Sequence, residues 1–408
     1  MNALDRLGED YLQKVDAEVS EVRRKLEKAE EKLPDQRIVV HCHSYLSHDS
    51  EGSIDEIAAA ANRTGTAAVI MTDHPRQDLD VMADGFRGKK KGVLFLPGAE
   101  TKNLLIFLGE GRLDYQLPRE RLIKEAKEAG AIVLLSHLEA DPSWDGIGPV
   151  DGCEIYNTHA SFKEEEGLAA ALLEGLGGVE QMLKILLALK QHPDSGLGAL
   201  SRILPHYMAI WDGLCSKSRH CGVAANDSHQ NLSIRVRSDG RSVSVIGPEG
   251  NHLGRFALTT PSLLPEGREL HFQPDSYEAM FLHVGTHLVC DRTDEEGIRR
   301  ALTQSRCYVS FDWIAQPKGF AFTWHADRGQ GLVGDWVDLS SSPTLAVEVP
   351  VESEIVLLRN GQPVARTWGT NLEFQPEPEG AYRTEVYLRI AGELRPWVLS
   401  NPIYVRRA

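Results

Sequence analysis

The chain has 408 residues, too many for one ordinary domain, and its 42% hydrophobic and 25% charged content is that of a globular protein. Against 44 Lys and Arg stand 59 Asp and Glu, and the formal net charge of −15 argues against a broad nucleic-acid or anionic-membrane surface. A phosphate substrate stays open, because a bound metal reverses the local field.

Residues 1–33 are expected to form one amphipathic helix. Leu12, Val15, Val19, Val22, Leu26, Ala29 and Leu33 recur at three- and four-residue steps, and Pro34 ends the run. Such a seam docks on its own domain or, alternatively, joins a second copy in a homodimer. Residues 34–312 alternate short apolar runs with helical segments: RIVVHC, AAVIMT, VLFLPG, LLIFLG, AIVLLS, GCEIYN and CGVAAN are the candidate strands. Ser53 and Glu56 form a capping box before one helix, and Gly130 closes another. This alternation predicts a parallel sheet covered on both faces, with an α/β barrel as its closed form. Residues 158–220 read as a helical insertion over the barrel or its mouth, and residues 233–258 as a β-hairpin insertion turning at Asp239-Gly240. Residues 313–408 hold about seven short β-rich runs, the pattern of an immunoglobulin-like β-sandwich.

Six cysteines are too few for a disulfide scaffold and fit a reducing compartment. No run of about 18 apolar residues offers a transmembrane helix, and the charged start MNALDRLGEDYLQ lacks a signal-peptide core. A cytoplasmic protein with neither membrane nor nucleic-acid partners is expected.

Histidine placement carries the chemical signal. His41 and His43 close the first strand, where a two-residue period puts both imidazoles on one side and Cys42 on the other. Asp73 and His74 end the second strand, Glu100 the third, and His137 the run AIVLLS, while Asp227 and His229 follow CGVAAN. Taken singly, each has a plain structural reading as a turn, cap or core residue. Repeated at five strand ends, they gather at one barrel face, and burying so many ionisable groups together is costly unless metal pairs them. Imidazole with carboxylate and no thiolate suits zinc, manganese or iron, and more than four candidate ligands imply more than one ion.

The ordered motifs HCHSYLSHDSEGS, MTDHP, LPGAE, LLSHLE and AANDSH resemble the series of the PHP (polymerase and histidinol phosphatase) superfamily across residues 36–230. That resemblance implies a distorted (β/α)7 barrel and two or three divalent metal ions. The β-rich tail is similar to that of a subgroup that includes carbaryl-hydrolase-like enzymes. By motif, the resemblance implies a first metal on His41, His43, Glu100 and Asp227. Glu100 would bridge to a second on His137, and His74, His229 and either His48 or Asp49 would hold a third. Asp73 would orient a ligand rather than bind metal. Thr101-Lys102-Asn103 stands where many relatives have a further histidine. Asn103 is therefore a weak replacement ligand, or Lys102 takes over a charge role toward phosphate.

Glu154, Asn157 and His159 end a further strand, Glu154 as a hydrogen-bonding group of the barrel mouth and His159 as a substrate contact or simply an exposed side chain. The expected function is hydrolysis of a small phosphomonoester or phosphodiester by metal-activated hydroxide, with His229 or His159 protonating the leaving group. Arg76 and Lys102 are the cations available to a phosphate. The alternatives are a carbamate, ester or amide hydrolase using the same centre, and a metal-stabilised binding module without catalysis.

Overall fold

The computed structural model describes residues 3–140, 148–163, 178–327 and 329–407. The seven expected strands form, and two short ones join them, β3 and β5, so that the order is β1 (Gln36–Cys42), β2 (Ala68–Met71), β3 (Gly88–Lys90), β4 (Val93–Leu96), β5 (Gly98–Thr101), β6 (Leu104–Phe107), β7 (Ile132–Leu135), β8 (Gly152–Asn157) and β9 (Cys221–Ser228). β1 runs parallel to both β2 and β9, β2 to β4, and β8 to both β7 and β9. β4 and β5 are consecutive stretches separated by Pro97, and β6 pairs with β5 and β7 to close the ring.

Both β6 pairings are antiparallel, which corrects the expectation of a parallel sheet. The reason is the connection: Thr101 pairs with Leu104, so only Lys102 and Asn103 lie between β5 and β6. A parallel crossover needs a dozen residues or more, whereas a two-residue link makes a hairpin. Both link residues have positive φ, 50° and 58°, as a type I′ turn requires.

Ile38, Val40, Ile70, Leu105, Phe107, Leu134 and Val223 pack inside the ring. The helix Ile54–Arg63, with the Ser53–Glu56 capping box in place, covers the outer side chains Val39, Val69 and Phe95. Gly130, at φ 73°, ends the helix Arg119–Glu128. The N-terminal helix spans Glu9–Leu26 and stops short of Leu33. Of its seam, Leu12, Val15, Val19 and Leu26 are buried inside this chain, Leu12 against Ala188 and Ala199. The helical insertion comprises Thr158–Lys163, Val179–Gln191, Pro193–Gly198 and Pro205–Lys217; its residues 164–177 lie outside the described residues.

The hairpin at Asp239-Gly240 forms from β10 (Ile234–Ser238) and β11 (Ser242–Ile246). It does not end at residue 258. β12 (His252–Ala257) and β13 (Glu269–Phe272) extend it to a four-stranded antiparallel sheet in the order β12-β11-β10-β13. β14 (Gly285–Leu288), too short to stand out in the sequence, lies antiparallel to the start of β1 and to β15 (Cys307–Ser310).

The C-terminal domain is sheet-rich: β16 (Ala321–Ala326), β17 (Gly329–Leu332), β18 (Trp336–Asp338), β19 (Thr344–Arg359), β20 (Gln362–Phe374), β21 (Gly380–Ile390), β22 (Glu393–Ser400) and β23 (Ile403–Arg406). The expected separate runs TLAVEVPV and EIVLLRN are one strand, β19. A register shift between Glu348 and Ser353 lets it pair first with β16 and then with β21. β22 also pairs with β15, so the barrel sheet continues into this domain. Among the described residues, no helix is long and apolar enough to cross a membrane.

Candidate metal centre

A break in strand periodicity creates the first ligand pair. Ile38 and Val40 face the barrel interior and Val39 the outer helix, so strict alternation would send His41 and His43 outward. A bulge between Val40 and Cys42, with His41 at φ 67°, reverses this. Cys42 joins Val39 on the outside, and both imidazoles face the mouth. His137 and Asp227, at φ 49° and 52°, are likewise in the left-handed region. Non-glycine residues held there cost about 1–3 kcal/mol each, and such strain concentrates at functional sites.

Glu100 and Asp227 lie at the centre of the cluster. Glu100 Oε2 is 3.2 Å from His41 Nε2, 3.4 Å from His43 Nε2 and 3.6 Å from His74 Nε2, while its Oε1 is 2.9 Å from His137 Nε2. Asp227 Oδ1 lies 3.3 Å from His41 Nε2 and 3.7 Å from His43 Nε2, and its Oδ2 lies 3.5 Å from both His137 Nε2 and His159 Nδ1. On the other side, Asp49 Oδ2 is 3.4 Å from His74 Nε2 and 3.3 Å from His229 Nε2. His48 is exposed, its ring 5.1 Å from that of His74. Of the adjacent pair, the structure brings Asp49 into the cluster.

The outer nitrogens are tethered. His41 Nδ1 lies 2.5 Å from Glu154 Oε1, His43 Nδ1 3.0 Å from Ser47 Oγ, and His137 Nδ1 3.1 Å from Glu139 Oε1. His74 Nδ1 and His229 Nδ1 face the backbone carbonyls of Glu100 and Asp227, each at 3.2 Å. An imidazole that donates from Nδ1 presents a lone pair at Nε2, the arrangement of a metal-ligating histidine. Asp73 does not enter the cluster. It accepts hydrogen bonds from Ser44 and from Ser47 Oγ, and so fixes the hydroxyl behind His43. Glu154 accepts from His137 N and Asn157 Nδ2, and Asn157 Nδ2 also reaches Asp227 Oδ2 at 3.3 Å.

These residues fit metal ions. His41 Nε2, His43 Nε2, Asp49 Oδ1 and Asp227 Oδ1 are buried without a hydrogen-bond partner, although carboxylate oxygens and imidazole nitrogens lie close by. Close approach without hydrogen-bond alignment is the geometry of donors aimed at a shared point. Three groups have ligand atoms within 4.8 Å of one another: His43, Asp49, His74 and His229; His41, His43 and Glu100; His41, His137 and Asp227.

Burial opposes every charge here. It is overcome for Glu100, Asp227 and Asp49, whose facing imidazoles hold them well below the usual carboxylate range. Burial also pulls down His137, but Glu100 and Glu139 hold it at about 11, whereas burial, with His229 and His41 nearby, lowers His43 to about 4.

A cavity of about 490 Å³ opens over the cluster. Asp49, His74, Glu100, His137, His159, Asp227 and His229 form its floor, and its walls are apolar, from Leu7, Phe162, Ile185, Leu189, Leu197, Leu200, Ile234, Phe272 and Met280. Among the described residues, no Lys or Arg lines it. This corrects two expectations. Arg76 is exposed and pairs with Asp78, and Lys102 is exposed in the β5–β6 turn, with Asn103 beside it outside the cavity lining. His159, its side chain 45% exposed, does reach the cavity edge.

Sequence reasoning passed over Ser47, Glu139 and Tyr277. The first two sit four and two residues from the histidines they hold, so local spacing carried a signal. Tyr277, whose hydroxyl donates to His43 O at 2.7 Å, is 234 residues away and left none.

Residues 40–214, from β1 into the helix Pro205–Lys217, match the family model of the PHP domain. The match covers 175 of the 408 residues. The matched span holds His41, His43, Asp49, His74, Glu100, His137 and His159, while Asp227 on β9 and His229 just after that strand lie beyond it. No curated protein matches the chain. Among solved structures it is similar to a two-domain protein from Bacteroides vulgatus described as containing a predicted PHP-like metal-dependent phosphoesterase. The two are 15% identical over 92% of this chain and 98% of that one, with a TM-score of 0.40.

Proposed function

We propose that the chain is a metal-dependent phosphoesterase acting on a small phosphomonoester or phosphodiester. The observation that carries this reading is the convergence of tethered imidazoles on Glu100 and Asp227, at the floor of a cavity in a chain whose residues 40–214 match the PHP domain. His41, His43, Glu100 and Asp227 would hold one divalent ion, and His137 a second, with Glu100 and Asp227 shared between them. Asp49, His74 and His229 would hold a third. Zinc, manganese or iron bound there supplies a more acidic water and polarises the reacting oxygen.

The remaining roles belong to the chain. Glu154 and Ser47 keep the Nε2 lone pairs of His41 and His43 turned inward. His159 faces Asp227 through Nδ1, which leaves Nε2 as the atom that would pass a proton to the leaving oxygen. His229 has its Nδ1 at a backbone carbonyl and its Nε2 at Asp49, and this engagement favours His159 over His229 as the acid.

One observation favours a second reading, hydrolysis of a carboxylic ester, carbamate or amide: no cation lines the cavity among the described residues, whereas phosphate sites usually recruit Arg or Lys. A panel of phosphate and carboxylate esters, run on one metal-loaded preparation, decides between them. Metal-dependent turnover of 4-nitrophenyl phosphate or its diesters is expected, and turnover confined to carboxylate esters would transfer the assignment to the second reading.

A further inference from the structure

The walls of the cavity identify the part of the substrate that does not react. Leu189 and Leu197, from the helix Val179–Gln191 and the segment after it, face the same space as Phe162, Leu200, Ile234 and Phe272. Among the described residues, two polar side chains besides those of the cluster line it, Asn231 and Asp275, and both make hydrogen bonds. The Asp275 carboxylate accepts from Asn231 N at 2.7 Å, Leu232 N at 2.9 Å and Gln273 Nε2 at 2.8 Å, and Asn231 Nδ2 donates to Asp49 O at 2.8 Å. A sugar or nucleoside placed there would leave hydroxyls and ring nitrogens without partners, at the cost of desolvating them. An apolar group loses nothing polar and gains contact with every wall. A volume of about 490 Å³ lies in the range of pockets that enclose a whole small ligand.

We infer that the substrate is an amphiphile: one reacting ester group at the metal centre, joined to an uncharged hydrocarbon moiety that fills the cavity above it. This rests on the phosphoesterase reading and adds the substrate class to it. The class excludes nucleotides, sugar phosphates and substrates with a second charged group.

The test is the affinity of manganese-loaded, full-length protein for n-alkylphosphonates from ethyl to octyl, measured by calorimetry beside a hydroxylated ether analogue of hexyl length. Each added methylene is expected to tighten binding about fourfold until the cavity is full, from the usual transfer free energy of a buried methylene. The hydroxylated analogue should bind no better than the ethyl compound. Leu197→Asn and Phe272→Asn, at half-buried wall positions, should flatten the series while ethylphosphonate affinity and metal content stay at wild-type values. Leu197→Trp, which narrows the cavity and keeps it apolar, should end the series at a shorter chain. A series that is flat in the wild type, with measurable ethylphosphonate binding, overturns the hydrocarbon assignment and leaves the phosphoesterase reading standing. Absence of binding at every chain length overturns the phosphoesterase reading, and the inference falls with it.

Discussion

His41 and Glu154 form a fully buried pair, Nδ1 to Oε1 at 2.5 Å, and this contact turns the other imidazole nitrogen toward Glu100 and Asp227. Glu154 also accepts the backbone N–H of His137, so one carboxylate positions two of the proposed ligands. Glu154→Gln keeps the shape but removes the anionic acceptor. It is expected to weaken metal affinity about 10- to 100-fold, the usual effect of losing such a partner. Competition with a chelator measures it, and unchanged affinity would show that Glu154 is only a packing residue.

Asp49 and His48 are neighbours in sequence with different surroundings. Asp49 faces His74 and His229, and His48 is exposed. Asp49→Asn is expected to lower the number of ions per chain, and His48→Ala to leave it unchanged. Elemental analysis of the two variants reads the difference directly, and the opposite pattern would reassign the ligand.

His159 is proposed to protonate the leaving group, a contribution that usually amounts to about 10²–10⁴ in rate. The loss in His159→Ala should therefore depend on the substrate. An alkyl phosphate, whose alkoxide leaves poorly, should lose most of that factor in kcat. A 4-nitrophenyl ester, whose phenolate leaves without help, should lose little. Equal losses on both, with metal content intact, would point to substrate positioning instead.

A separate buried network makes a prediction about stability. His287 Nδ1 lies 2.9 Å from Asp35 Oδ1, and its Nε2 lies 3.1 Å from Asp312 Oδ2. Burial lowers its pKa, but the two carboxylates more than compensate and hold it at about 10. The folded value exceeds the unfolded one of about 6.5. The stabilisation is therefore complete below that pH and is lost as pH rises through about 10. Urea midpoints of the wild type should fall between pH 7 and 10.5, and those of His287→Gln should fall less. Parallel declines would contradict the assignment.

The metal-capable residues were legible in sequence because their chemistry is rare and recurs at strand ends: His41, His43, His74, Glu100, His137, Asp227 and His229 all enter one cluster. Closeness in sequence did not give direction, which is why Arg76 and Lys102, each within two residues of a motif residue, stay outside the cavity. The reversal of β6 was within reach, since a two-residue link permits nothing else, but an apolar run such as LLIFLG looks alike in either direction. The bulge at His41 was not within reach, because a regular period and a bulge write the same letters. Nor were the cavity walls: Leu7, Leu197 and Phe272 carry no motif, and only tertiary packing brings them together.

The most direct test of the central claim pairs metal content with turnover on a single sample. Wild-type protein should carry two or three divalent ions per chain, lose 4-nitrophenyl phosphate hydrolysis on chelation and regain it when metal is restored. Asp227→Ala should stay folded and lose both ions and turnover. Full activity in metal-free, chelator-stripped protein would contradict the account.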